Sequence, residues 1–110
     1  MYARVWRVGI LPGKVEELSA AINSLLSILR RHAGFRGMLV LRGGPGERLE
    51  VTGFSAWDSL EALRNSETSE YQEALDRFLS CCEHRPFMRE EEVLVSEFAS
   101  RDLSDTTAGF

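Results

Sequence analysis

The spacing of apolar residues changes along the chain, and this spacing predicts the first elements. Residues 2–10 are rich in β-branched and aromatic side chains and stop at Pro12, which predicts a strand. Apolar residues then recur every three or four positions over residues 15–29, as on one side of an amphipathic helix. The basic residues 30–32 are expected in the last turn of this helix, and Gly34 is expected to cap it.

A hairpin is predicted in the middle of the chain. Residues 38–42 and 49–57 are two further apolar runs of strand length. Between them lies the sequence Gly-Gly-Pro-Gly at 43–46, which favours a turn. The two runs should therefore pair as antiparallel strands.

Two helices are predicted after the hairpin. Asp58 and Glu61 have the spacing of a capping box, which predicts the start of a short helix. A longer helix is predicted from about Ser69, with an apolar side that runs to Cys82 and an end imposed by Pro86.

The pattern predicts a last strand over residues 93–98, which are mostly apolar. The acidic run at 90–92 is interpreted as a solvated loop before this strand. Residues 100–110 show no period and are interpreted as a C-terminal tail, disordered or docked on a partner. The chain is therefore expected to form one domain over residues 1–99 and a tail over 100–110.

The order strand, helix, strand, strand, helix, strand predicts an α+β fold of the ferredoxin-like βαββαβ type. Its four-stranded antiparallel sheet should carry both helices on one face. The predicted strands are apolar on both faces: Trp6 alternates with Val5, and Val40 alternates with Leu39. One chain has no element left to cover the second face, so we expect a homodimer that packs sheet against sheet.

Charge and cysteine usage narrow the possible partners. A net charge of −4 and a pI of about 5.2 disfavour nucleic acid as a partner. Cys81 and Cys82 are adjacent, a spacing that rarely permits a disulfide. Arg4 and Arg7 lie within the apolar residues at the start of the chain, a pattern that does not fit a secretory signal. No apolar stretch is long enough to span a membrane. We therefore expect a cytoplasmic protein with no membrane partner.

No metal site or catalytic motif is evident in the sequence. Cys81, Cys82 and His84 lie together, but His32 is the only other histidine, and zinc sites usually need four ligands in separated pairs. We expect no metal. The sequence has no phosphate-binding loop, dinucleotide fingerprint or nucleophile elbow, so it does not assign catalytic residues.

The sequence resembles the antibiotic biosynthesis monooxygenase family, a branch of the dimeric α/β-barrel proteins. The resemblance covers residues 2–98 and rests on three motifs: Pro12-Gly13 after the first strand, Gly-Phe-Arg-Gly-Met at 34–38, and Trp-Asp-Ser at 57–59 with Glu61-Ala62. It implies a dimer with a pocket in each subunit between the helices and the sheet. Some members oxidise phenolic polyketides with O₂ and need neither metal nor flavin, others degrade haem, and others have no established activity.

This chain departs from the haem-degrading members at three positions. Leu75 stands where they carry the histidine that binds iron, and Trp6 stands at their asparagine on the first strand. Asn65 and Ser66 stand where they carry a tryptophan after the short helix. We therefore expect no haem and, from the resemblance to the cofactor-free members, no cofactor.

Trp6, Arg4, Tyr71 and Asn65 are the candidate substrate-binding residues. Trp6 could stack on a planar ligand or serve as a core aromatic residue. Tyr71 could donate a hydrogen bond to a phenol or quinone oxygen, or only extend its hydroxyl to water. Arg4 shares the face of Trp6, so it should contact a ligand or form an ion pair with Glu70 or Glu73.

These residues predict a cofactor-independent monooxygenase that oxidises a small aromatic or quinol-like substrate with O₂. A site with one cation and a phenol group could stabilise the substrate anion that reacts with O₂. The alternative is a non-catalytic or isomerase-like protein that binds a small molecule on the same dimeric scaffold. A third possibility is a protein-interaction module that uses the tail.

Overall fold

The computed structural model describes residues 1–46 and 48–98 and confirms the predicted α+β, ferredoxin-like fold. The elements are β1 (Tyr2–Gly9), α1 (Val15–Leu29), β2 (Phe35–Gly43), β3 (Glu50–Trp57), α2 (Leu60–Asn65), α3 (Ser69–Leu79) and β4 (Arg89–Glu92). The strands form one antiparallel sheet in the order β2-β3-β1-β4, which leaves β2 and β4 at the edges. The predicted tail, residues 100–110, lies outside the described residues.

The core lies between the sheet and the pair α1 and α3. Side chains of β3 alternate strictly, so that those facing the helices are buried and those facing away are half-buried. Trp57, Phe78, Leu63 and Leu18 are among the most deeply buried side chains. This layer of large apolar groups holds the central strands β1 and β3 in place and fixes the side chains that point from them towards the helices.

The last strand was predicted in the wrong place. It is Arg89–Glu92, the acidic run interpreted as a loop, and it pairs with β1 so that Arg4 opposes Glu90. Residues 93–98 form no strand. An edge strand needs only backbone hydrogen bonds on one side, and charged side chains on it discourage pairing with another chain. The apolar pattern was therefore a poor guide to this element.

The cap of α2 and the end of α3 differ from the predictions. α2 is capped by Ser59, whose Oγ accepts from the Ala62 backbone N–H, and not by Asp58, whose carboxylate forms an ion pair with Arg36. α3 begins at Ser69, as predicted, and its N-cap is Thr68. α3 ends at Leu79, well before Pro86, so Cys82 lies beyond it.

The basic residues 30–32 follow α1 and do not form its last turn. Gly34, beyond them, has a φ of 86°, and a Cβ atom there would lie 2.6 Å from the Cβ of Ala62. Glycine is therefore required at this turn, where the chain passes close to α2 and enters β2.

The sheet face turned away from the helices is apolar over its centre, whereas Arg7, Thr52 and Glu50 make one end of it polar. Val5, Phe54 and Leu39 lie opposite one another on β1, β3 and β2 and form a row across its centre. Three large side chains in the segment after β4 are also exposed: Leu94, Val95 and Phe98. A cavity of about 690 Å³ lies between this segment and the sheet, with Leu39, Phe54 and Phe98 among its lining residues. No helix in the described part of the chain is long and apolar enough to cross a membrane.

Candidate functional site

A row of four residues crosses the helix-facing side of the sheet and forms the floor of the candidate site. Arg4 on β1 opposes Glu90 on β4 and Ser55 on β3, and Ser55 opposes Met38 on β2. Arg4 and Ser55 are buried although both are polar. Buried polar side chains on central strands need partners, and those partners define the chemistry of the site.

Two adjoining cavities lie above this row. The inner cavity measures about 20 Å³. It is lined by Arg4, Trp6, Leu25, Leu29, Met38, Ser55, Tyr71, Leu75, Phe78 and Met88. The outer cavity measures about 300 Å³. It is lined by Arg4, Glu67, Tyr71, Gln72, Leu75, Arg85, Met88, Arg89 and Glu90. Arg4, Tyr71, Leu75 and Met88 line both, so they form the wall between the two.

Arg4 is the charged centre of this wall and has two partners. One guanidinium nitrogen, Nη1, donates to the Tyr71 hydroxyl oxygen at 3.0 Å. The other, Nη2, forms an ion pair with Glu67, in the connection between α2 and α3. The prediction that Arg4 pairs with Glu70 or Glu73 is wrong, because its partner is Glu67 and Glu70 pairs with Arg31. Arg4 is thus compensated in charge and held in one orientation.

Tyr71 is placed to donate a hydrogen bond to a ligand. A guanidinium group can only donate, so the Tyr71 oxygen accepts from Arg4 and its own proton is free for another acceptor. Burial raises the pKa of the Tyr71 phenol, and Arg4 opposes this effect only in part. The group is therefore a neutral donor at physiological pH. Thr68 caps the helix turn that carries it by accepting from the Tyr71 backbone N–H.

Ser55 is a functional candidate that the sequence analysis missed. Its Oγ accepts a hydrogen bond from Trp57 Nε1 at 3.0 Å, and it lines the inner cavity. An indole nitrogen only donates, so the Ser55 hydroxyl also keeps its own proton for another acceptor. A signal for it was present: Gly53 and Ser55 are the small residues at helix-facing positions of β3, between the large residues Val51 and Trp57.

Trp6 forms the back of the inner cavity. Its ring lies over Gly53, where a Cβ atom would be 2.3 Å from the indole, and meets Phe78 edge-on with ring centroids 4.9 Å apart. It lines the inner cavity and does not line the outer one. The structure therefore brings Trp6, Arg4 and Tyr71 together around one small space.

Asn65, the fourth candidate, lies elsewhere. It is the last residue of α2, it is exposed, and it lines neither cavity. Leu75 lies in the wall between the cavities.

The two cysteines lie apart from the cavities. Both are buried. Burial raises the pKa of Cys82 to about 11, so its thiol stays protonated and unreactive at neutral pH. Among residues 1–46 and 48–98, no three histidine, cysteine or acidic side chains are grouped so that they could hold a metal ion.

Comparison with known proteins identifies both a family and a fold. The family model of the antibiotic biosynthesis monooxygenases matches residues 1–77. No curated protein sequence matches the chain significantly.

Solved structures with the same fold share little sequence with this chain. A mutant form of SnoaB, a cofactor-independent oxygenase from Streptomyces nogalater, is 12% identical with a TM-score of 0.76 over 86% of this chain and 94% of that one. A Nitrosomonas europaea protein of unknown function is 16% identical, with a TM-score of 0.71 over 91% and 95%. The Mycobacterium tuberculosis protein Rv0793 is 16% identical, with a TM-score of 0.68 over 86% and 96%.

Proposed function

Because this chain belongs to the antibiotic biosynthesis monooxygenase family, we propose that it is a cofactor-independent monooxygenase acting on a small aromatic or quinol-like substrate. The observation that carries the proposal is the arrangement of Arg4 and Tyr71. Arg4 fixes the Tyr71 oxygen as an acceptor, so a neutral, buried phenol presents its proton to the cavities. SnoaB, which has the same fold, is described as a cofactor-independent oxygenase.

The proposed reaction needs a substrate that forms an electron-rich anion. An anthrone-like CH₂ group loses a proton, and the resulting anion transfers one electron to O₂. Recombination and loss of water leave a carbonyl: one oxygen atom enters the product, and the other leaves as H₂O with the two hydrogens of the CH₂ group. The anion carries its charge on an oxygen, so a fixed donor at that oxygen favours both its formation and its reaction.

The two cavities suggest how the substrate is placed. The inner cavity, at about 20 Å³, has room for little more than a water molecule or a diatomic gas, whereas the outer one, at about 300 Å³, can take an aromatic ring. We therefore place the ring in the outer cavity, with its oxygen against the Tyr71 hydroxyl. Trp6 then supports the wall from behind and does not stack on the ring. Asn65 has no role in this arrangement.

Oxygen consumption tests the proposal. We expect the purified protein to accelerate O₂ uptake above the buffer rate with one or more members of a panel of hydroquinones and anthrones. Dialysis against a chelator should leave the rate unchanged, because the mechanism uses no metal. Product mass should increase by about 14 mass units for conversion of CH₂ to a carbonyl, and labelled O₂ should supply the new oxygen. No uptake with any member of the panel, under conditions in which the compounds bind, would contradict oxygenation.

That last outcome would favour the second candidate function, a non-catalytic or isomerase-like binding protein. Its supporting observation is that Arg4, the buried cation, is already compensated by Glu67. The same Tyr71 donor could stabilise an enolate during isomerisation without any oxygen chemistry.

We also propose that the protein acts as a homodimer through the outer face of the sheet. The row formed by Val5, Phe54 and Leu39 is the supporting observation, since an apolar sheet face of this kind is usually covered. Light scattering after size exclusion should give twice the chain mass at micromolar concentration. Phe54→Glu should yield a monomer, whereas Ser27→Glu, which adds the same charge at an exposed position on α1, should remain dimeric. A monomeric wild-type protein would contradict the proposal.

A further inference from the structure

The ion pair between Arg4 and Glu67 has an unusual asymmetry of burial. The Arg4 side chain is 8% exposed and extends from a central strand, whereas the Glu67 side chain is 41% exposed and belongs to the short connection between α2 and α3. Arg4 is also fixed by its bond to Tyr71. Arg4 therefore stays in place if the pair opens, and Glu67 can move into water at little cost in solvation.

Glu67 also lies beside only one of the two cavities. Glu67 lines the outer cavity and does not line the inner one, whereas Arg4 lines both. The carboxylate therefore lies on the side of the guanidinium from which a ligand would arrive. Glu67 occupies one of the two N–H donors of Arg4 Nη2, so a ligand that enters through the outer cavity can take that donor only if Glu67 leaves it.

The other charges of the outer cavity favour an incoming anion. Glu90 is paired with Arg64 at 3.0 Å, which lowers the pKa of its carboxyl, and Arg89 lies 3.3 Å from Glu91. Arg85 forms no ion pair with any residue that the structure describes. Once Glu67 has moved away, an anion in this cavity would therefore meet two cations that form no ion pair with any described residue, Arg4 and Arg85.

We propose that Glu67 is a displaceable carboxylate that occupies the anion subsite on Arg4, and that the ligand which replaces it carries an acidic oxygen already ionised at neutral pH, such as a carboxylate. This inference rests on the proposed site and names the chemical class of its substrate. Displacement exchanges one anion for another on a buried cation, so Arg4 is never left without a counter-charge. A neutral ligand cannot replace the negative charge of Glu67, so it has to bind beside the intact ion pair.

A matched pair of ligands tests the proposal without any oxygen chemistry. The probes are 1-hydroxy-2-naphthoate, which carries a carboxylate, and 1-naphthol, which is neutral at pH 7; binding is measured by isothermal titration calorimetry. Glu67→Gln removes the competing charge and keeps an oxygen that can accept from Arg4. We expect it to lower the Kd of the naphthoate about tenfold, equivalent to about 1.4 kcal/mol, and to leave the Kd of naphthol within about twofold.

Glu70→Gln is the matched control, because it makes the same change in net charge at an exposed pair with Arg31. It should leave both affinities unchanged. If Glu67→Gln does not fold, Glu67→Asp replaces it, since the shorter side chain keeps the charge but holds Arg4 less well; its effect should have the same sign and be smaller. Equal changes for both ligands, equal changes in Glu67→Gln and Glu70→Gln, or no binding of the naphthoate to any of the proteins would overturn the proposal.

The two proposals can fail separately. Absence of O₂ uptake together with the expected change in affinity contradicts the oxygenase and leaves the anion subsite in place. Oxygen uptake with an unchanged ratio of the two affinities supports the oxygenase and overturns the displacement.

Discussion

Replacement of Tyr71 by phenylalanine is expected to lower kcat/KM for oxygen uptake by roughly 10²–10³, the usual loss when one preorganised oxyanion donor is removed. The ring and its packing are retained, and Arg4 keeps Glu67 as its counter-charge. Only the hydroxyl that accepts from Arg4 and donates to the substrate is lost. Initial rates of O₂ consumption with the best substrate of the panel measure the effect. The loss of one hydrogen bond to a charged group should cost about 1.5–3 kcal/mol in the free energy of unfolding.

Tyr2→Phe is the matched control, because the Tyr2 hydroxyl makes only a long, exposed contact of 3.4 Å with Glu92. It should keep wild-type kcat/KM. Because the pKa of Tyr71 is raised above the ordinary value of 10.0, ionisation of this group should not lower the wild-type rate below that pH. A Tyr71→Phe protein with more than half of the wild-type kcat/KM would exclude the phenol as the essential donor.

The sequence predicted those parts of the fold that depend on apolar periodicity. α1 and β3 carry a buried side over their whole length, so their period was visible and their bounds were close. The edge strand β4 has four charged residues, all exposed, and is held by backbone hydrogen bonds to β1 that leave no pattern in the sequence. The last strand was predicted at residues 93–98 because they are mostly apolar, and the sequence alone does not reveal that large apolar side chains among them are exposed.

In the candidate site too, the sequence predicted which face a side chain lies on but not which residue it contacts. Alternation along β1 was enough to put Arg4 and Trp6 on one face, and helix spacing brought Tyr71 towards that face. The helix pattern could not predict that Arg4 pairs with Glu67, because Glu67 lies in the connection before α3, whereas Glu70 lies in the first turn of α3 and pairs with Arg31.

Gly53 should be intolerant of even a methyl group, because Trp6 occupies the space where its side chain would be. A Cβ atom at Gly53 would lie 2.3 Å from Trp6 Cζ2 and 2.7 Å from Cε2. The indole cannot retreat easily, since Phe78 meets it with ring centroids 4.9 Å apart, and β3 is held on both sides by β1 and β2. Gly53→Ala is therefore expected to lower the free energy of unfolding by about 1–3 kcal/mol, measured by denaturant titration. It should also displace the rear wall of the inner cavity and weaken ligand binding.

Gly43→Ala is the control for the loss of a strand glycine, because a Cβ atom there would meet nothing within 4 Å. Its stability should remain within about 0.5 kcal/mol of the wild type. A double-mutant cycle then isolates the contact: Trp6→Phe shortens the ring, so Gly53→Ala should cost at least about 1 kcal/mol less in the Trp6→Phe background than in the wild type. If the two costs are equal, the penalty arises from the β3 backbone and not from the indole. If Gly53→Ala is as stable as Gly43→Ala, the close approach of Trp6 to the sheet does not constrain this position.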